Sequence, residues 1–192
     1  MSTTPPAFTE AIRDPRPGMP GSPAAQGPSS QNIVIGVGEM AVSGDPDATL
    51  STYALGSCMA VVAYDARARV GGILHLMLPD STIAPAKAAA RPAMFANTGI
   101  PCFLAALLGL DAEPSHLRLF VTGGASVLSG NDAFKIGARN IRATQEGLRA
   151  LGLAFGSASI GGTLNRTVHL ANGTGAVTLT MPTASEEHFL GS

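Results

Sequence analysis

Between residues 59 and 78 the chain holds two apolar runs, Met59–Tyr64 and Gly71–Leu78, separated only by a short link within "DARAR". Two such runs joined by so short a connection read as an antiparallel hairpin, closed at its far end by Pro79. In an antiparallel hairpin the numbers of facing residues have a constant sum. With the loop at residues 65–68, Tyr64 faces Arg69 and Cys58 faces His75. Facing residues share one side of the sheet, with Cβ atoms about 4.5–5.5 Å apart, within reach of an S–H···N contact. A loop one residue longer or shorter would place the pair on opposite sides.

Other signals of the same kind surround this hairpin. "NIVIGVGEMAVS" reads as one strand from Asn32 to Val42, and "SGDPDAT" as a loop. "HLRLFVTGGA" is a strand running into a glycine turn, and "LAFGSASIGG" a further short strand. "RTVHLA" and "AVTLTM" form a second hairpin through "NGTG". Residues 84–110 are rich in Ala and Leu and predict helix, broken near Pro92 and at 97–99, with Pro101 in the first turn of the later segment. "DAFKIGARNIRATQEGLRALG" is the clearest helix, with Phe134, Ile141, Leu148 and Leu151 near one face and Gly152 as its stop. Strands in hairpins mixed with helices predict an α/β or α+β layered sandwich with mixed, largely antiparallel sheets and flanking helices.

Residues 1–30 differ in kind. They hold 7 of the 14 prolines, together with Ser, Ala and Gly, and bury too little apolar surface to offset the entropy of ordering. They are expected to be a disordered leader, followed by a folded domain over 31–182 and a C-terminal tail over 183–192. The leader lacks the basic start and apolar core of a secretory signal. No apolar run approaches the ~20 residues of a membrane span, so no membrane insertion is expected.

Composition excludes other classes of function. A net charge of −1 and the absence of Trp leave neither a basic footprint nor a stacking platform for nucleic acid. Two cysteines are too few for a disulfide framework or a zinc cluster, and His116, His169 and His188 have no metal-ligand spacing, so neither metal nor cofactor is expected. A cytoplasmic protein with reduced thiols fits these features. Cys102, in the apolar run "GIPCFLAALL", reads as core filling. The glycine patterns "VGE", "TGGA" and "SIGG" do not make a phosphate loop.

Cys58 and His75 have two readings. A lone cysteine is most often a small buried hydrophobe, and a lone strand histidine usually just finds a hydrogen bond. Alternatively the imidazole withdraws the thiol proton, the thiolate attacks a carbonyl, and a third residue fixes the tautomer. Gly56 and Ser57 leave the backbone open before Cys58, so the N–H groups of Ser57 and Cys58 could form an oxyanion hole. Gly71 and Gly72 sit where close backbone approach would be needed. Thr52 could supply the hydroxyl or carbonyl that orients His75.

The blocks "IGVGEMAVS", "TYALGSCMAVVAYD" and "GGILHLMLP" resemble the signature of the CheD family of chemoreceptor glutamine deamidases. The resemblance continues through "LRLFVTGGASVL", "KIGARNIRATQEGLRALGL", "IGGTLNRTVHL" and "TGAVTL", covering about residues 33–181. Its most specific part is Leu-Gly-Ser-Cys with a histidine seventeen residues after the cysteine. The resemblance implies a layered α/β sandwich similar to that of bacterial toxins that deamidate glutamine. It implies a catalytic trio of Cys58, His75 and Thr52 that hydrolyses receptor glutamines to glutamate through a thioester. The implied partners are the cytoplasmic helices of chemoreceptors and a CheC-type phosphatase. Two rivals are a docking module that binds such a phosphatase or receptor without needing the chemistry, and a general thiol peptidase.

Overall fold

The computed structural model of the protein describes residues 31–126 and 135–191. The expected leader and Phe134 lie outside the described residues. Among the described residues, ten strands form two five-stranded sheets. The first contains β1 (Asn32–Ile35), β3 (Thr49–Leu55), β8 (Arg166–Ala171), β9 (Ala176–Met181) and β10 (Ala184–Phe189), in the order β1-β3-β8-β9-β10. The second contains β2 (Glu39–Ser43), β4 (Met59–Asp65), β5 (Val70–Leu76), β6 (Arg118–Gly123) and β7 (Ser157–Ile160), in the order β2-β5-β4-β6-β7. The pairs β1–β3 and β6–β7 are parallel, and the other strand pairs are antiparallel. The short helix α1 (Pro85–Ala90) precedes the two longer helices α2 (Ala96–Leu108) and α3 (Ile136–Ala150).

The second sheet is the middle layer, and its two faces explain the unbroken apolar character of β4 and β5, which are buried along their whole length. Ala60, Val62, Tyr64 and Ile73 point to the first sheet, where Leu50, Val168, Leu170, Val177 and Leu179 meet them. Val61, Ala63, Leu74 and Leu76 point the other way, against Ile100, Phe103 and Leu107 of α2 and Leu148 of α3. A strand covered on both faces has no polar alternation to show. The expected layered sandwich is therefore the observed one, as sheet, sheet and helices.

The structure redraws several local expectations. The predicted strand 32–42 is two strands in different sheets, joined by a turn at 36–38 in which Gly38 takes φ 73°. β3 has no strand signal in the sequence, because Ser51 and Thr52 are both buried while Tyr53 and Ala54 are exposed. A β-bulge is responsible. Thr52 pairs with Val168 and Leu55 with Arg166, leaving one extra residue on β3, with Ala54 at φ 58°. The bulge allows Leu50, Thr52 and Leu55 all to face the space between the sheets.

Pro101 lies inside α2 rather than in its first turn, since the helix begins at Ala96 and runs through the expected break at 97–99. Residues 184–189, set apart as tail, form the edge strand β10 against β9. β10 is exposed along nearly all its length, so no apolar alternation marks it. α3 ends at Ala150, with Gly152 just beyond it at φ 70° as the expected stop, but Leu151 is exposed and the buried stripe is Gly137, Asn140, Thr144 and Leu148.

Candidate active site

The hairpin β4–β5 brings the thiol and the imidazole to the same side, by a register different from the expected one. The loop is 66–69, one residue further along than predicted. Asp65 ends β4 and its Oδ1 accepts hydrogen bonds from the N–H groups of Arg67 and Ala68 at 2.8 and 3.2 Å, which fixes the turn after it. His75 therefore faces Ala60, and Cys58 is displaced by two residues instead of standing opposite. Two residues is a full period of the pleat, so the shared face survives. Cys58 lies just before β4, half-buried, and packs against the cluster between the sheets.

Thr52 reaches His75 from the other sheet. Its Oγ1 lies 2.7 Å from His75 Nδ1 and donates to the Ile35 carbonyl at 2.9 Å. A hydroxyl has one proton. With that proton on Ile35, Thr52 Oγ1 accepts from Nδ1–H, and the imidazole keeps Nε2 as its free base. Nε2 is buried and has no hydrogen-bond partner among the described residues. The turn at 36–38 braces the same residue, because Gly38 N–H donates to the His75 carbonyl at 2.8 Å.

Burial dominates the electrostatics. His75 is 1% exposed, and desolvation pushes its pKa down to about 4, opposed by the charge of Glu39 on the neighbouring strand. Burial also pushes the Cys58 thiol up, opposed by its own backbone N–H. At neutral pH the resting pair is thus a thiol and a neutral imidazole, not a thiolate–imidazolium pair.

The turn carrying Cys58 is tied down at three successive carbonyls. Ala125 N–H donates to Gly56 O at 2.8 Å and Gly124 N–H to Cys58 O at 2.7 Å. Between them, Asn140 Nδ2 donates to Ser57 O at 2.9 Å and also to Met77 O at 2.8 Å. Among the described residues, the N–H groups of Ser57 and Cys58 donate to no other residue's backbone or side chain. Gly123, at φ 109°, admits no side chain, because a Cβ there would run into the Cys58 carbonyl. "TGGA" is thus the back wall of the cysteine turn. Sequence reasoning missed Asn140, although a fully buried amide in the middle of an amphipathic helix is a flag.

The remaining candidates stay apart. Cys102 is half-buried on the flank of α2 and not in the core cluster. His116 lies beside Asp65 and Glu113, and His188 beside Glu186 and the ring of Phe120. Among the described residues no group of three His, Cys, Asp or Glu could hold a metal ion. No helix among them is long and apolar enough to cross a membrane.

A family model described as CheD chemotactic sensory transduction matches residues 77–181. The chain is 42% identical over 149 residues to a probable chemoreceptor glutamine deamidase CheD of Solibacter usitatus, covering 78% of this chain and 88% of that one. The chain belongs to the CheD family. A namesake from Syntrophotalea carbinolica is 38% identical, covering 79% of this chain and 94% of that one, and one from Pyrococcus abyssi 34%, covering 77% and 90%. The family model begins two residues after His75, whereas these relatives align over 149 to 153 residues. Among solved structures, a Neisseria meningitidis protein of family DUF152 is 12% identical with a TM-score of 0.37, covering 64% of this chain and 51% of that one. At that distance the likeness says nothing of chemistry.

Proposed function

We propose that this CheD-family chain is a protein-glutamine deamidase that converts selected chemoreceptor glutamines to glutamate, with Cys58 as nucleophile, His75 as acid and base, and Thr52 as the residue that orients it. The observation that carries the reading is the Thr52–His75 hydrogen bond between the two sheets, which leaves Nε2 unpartnered on the face shared with Cys58. The relatives' names supply the substrate class.

As Sγ attacks the carboxamide carbon, Nε2 takes the thiol proton and the carbonyl π pair moves onto oxygen. The backbone N–H groups of Ser57 and Cys58 hold that oxyanion. Nε2 returns its proton to the nitrogen, the C–N bond breaks and ammonia leaves a thioester. Water, deprotonated by His75 Nε2, attacks the thioester. The C–S bond breaks, Nε2 returns that proton to Sγ, and the thiol is released with a carboxylic acid that ionises to glutamate. Starting from two neutral groups, the pair separates charge as Sγ attacks the bound carboxamide. Each conversion adds one negative charge to a receptor helix, and such a substrate places the enzyme in the cytoplasm. A CheC-type phosphatase as regulatory partner rests on the family resemblance, and co-purification with one tests it.

Incubation of receptor with enzyme, followed by peptide mass analysis, tests the chemistry: each converted glutamine gains about one dalton. Cys58→Ala should abolish the gain. An undiminished gain in that variant, or none with the wild type, rejects the proposal.

A further inference from the structure

Asn140 has a position that its helix alone does not explain. It is fully buried on α3, and its amide nitrogen meets two carbonyls from two different segments: Ser57, immediately before the cysteine, and Met77, two residues after the histidine. Two carbonyl oxygens can only be met by a donor, so the orientation of the amide is determined. Its Oδ1 is buried without a partner among the described residues. A side chain that keeps one buried acceptor unpaired to place both donors has its geometry dictated by those two contacts.

The Ser57 contact bears directly on the chemistry. The carbonyl of Ser57 and the N–H of Cys58 belong to one planar peptide unit. A donor on the oxygen of that unit fixes the plane and so the direction of the N–H. It also polarises the unit, which strengthens the N–H as a donor. The flanking units are held through Gly56 O and Cys58 O by backbone donors from Ala125 and Gly124. The unit between them is held by a side chain. α3 sits close enough for this because Gly137, one turn earlier, packs against the Gly124 carbonyl where a Cβ would clash.

We propose that Asn140 is a positioning residue for the oxyanion hole, aiming and polarising the Cys58 N–H through the Ser57 carbonyl while its second bond holds the end of β5 beside His75. This rests on the reading of Cys58 as nucleophile, but not on glutamine as the substrate.

Two small reagents separate this role from a merely structural one. Acylation by p-nitrophenyl acetate forms the Sγ–C bond at a carbonyl, passes through an oxyanion and expels p-nitrophenolate. Alkylation by iodoacetamide forms the Sγ–C bond at a saturated carbon, expels iodide and develops no oxyanion. In Asn140→Ala, Cys58 acylation should fall about tenfold or more while Cys58 alkylation stays within about twofold of wild type. Asn140→Ser, which keeps a shorter donor, should fall less. Thr144→Val, one turn along the same buried face, should change neither rate.

Parallel losses in both reactions, or no loss of acylation, overturn the proposal. So does failure of both Asn140 variants to melt cooperatively, which would make Asn140 a residue of the fold. Wild-type protein that alkylates and acylates at Cys58 yet converts no receptor glutamine would sink the substrate assignment and leave the ratio of the two rates decisive. Wild-type protein inert to both reagents would overturn both.

Discussion

Two adjacent residues of β3 each hold a histidine through Nδ1, on opposite faces of one sheet. Thr52 meets His75 at 2.7 Å in the space between the sheets, and Ser51 meets His169 at 2.8 Å on the outer face. Their second contacts also correspond, Thr52 with the Ile35 carbonyl and Ser51 with Asn32 Oδ1. The resemblance ends there. His75 is enclosed, has an unpartnered Nε2 and shares its face with a thiol, whereas His169 lies edge-on to the ring of Tyr53. A hydroxyl–imidazole pair is therefore common architecture. Enclosure and a thiol on the same face set one of the two apart.

The sharpest way to break this comparison is to remove each imidazole. His75→Ala should lower deamidation by about 10²–10⁴-fold, the range for loss of a general acid–base group. His169→Ala should leave it within about twofold, because that ring has no part in the proposed chemistry. Mass analysis of receptor peptides gives both rates. Equal losses would mean that the outer pair is functional too.

Acid titration sharpens it next. His75 is held down at about 4 in the fold, against 6.5 for the ordinary group. Between those values the unfolded chain binds a proton that the native state lacks, so stability falls as pH drops through 6.5 and the loss is complete below about 4. The size is on the order of 3 kcal/mol, from about 1.36 kcal/mol per pKa unit. Denaturant melts from pH 7 to pH 4 should show this slope in wild type and a flatter one in His75→Gln.

Removing the hydroxyls comes third. Thr52→Val keeps the shape of the side chain but leaves Nδ1–H and the Ile35 carbonyl unpaired. It should reduce kcat roughly tenfold, with KM little changed, by freeing the tautomer and tilt of the ring. Ser51→Ala should leave kcat unchanged and cost about 1 kcal/mol in denaturant melts, the ordinary value of a hydrogen bond. Reversal of that order would exchange the roles of the two faces.

The local chemistry of turns was legible in the chain. "NGTG" makes the hairpin β8–β9, Gly152 ends α3, and the short link after β4 puts Cys58 and His75 on one face. Even there the predicted opposition was displaced by two residues, because it is the carboxylate of Asp65 that sets where the turn begins. The shared face survived because parity depends only on the two-residue period of a strand. The resemblance to the family supplied the trio as a set, including a threonine for which spacing alone could offer only a possibility.

What needed the tertiary structure is everything that crosses between layers. Thr52 and His75 are 23 residues apart and belong to different sheets, and no periodicity within either strand links them. The bulge in β3 erases the alternation that would have announced that strand, and the exposed edge strand β10 has little alternation to erase. Asn140, 83 residues from Ser57, joins the cysteine turn only because α3 packs behind the Gly123–Gly124 wall. The sequence by itself determined which face of one hairpin Cys58 and His75 share. The packing of two sheets and a helix decided their tautomer, their burial and the direction of the amides around them. Side-chain periodicity is a local property of the chain, whereas those depend on which distant backbone groups the fold brings within hydrogen-bond distance.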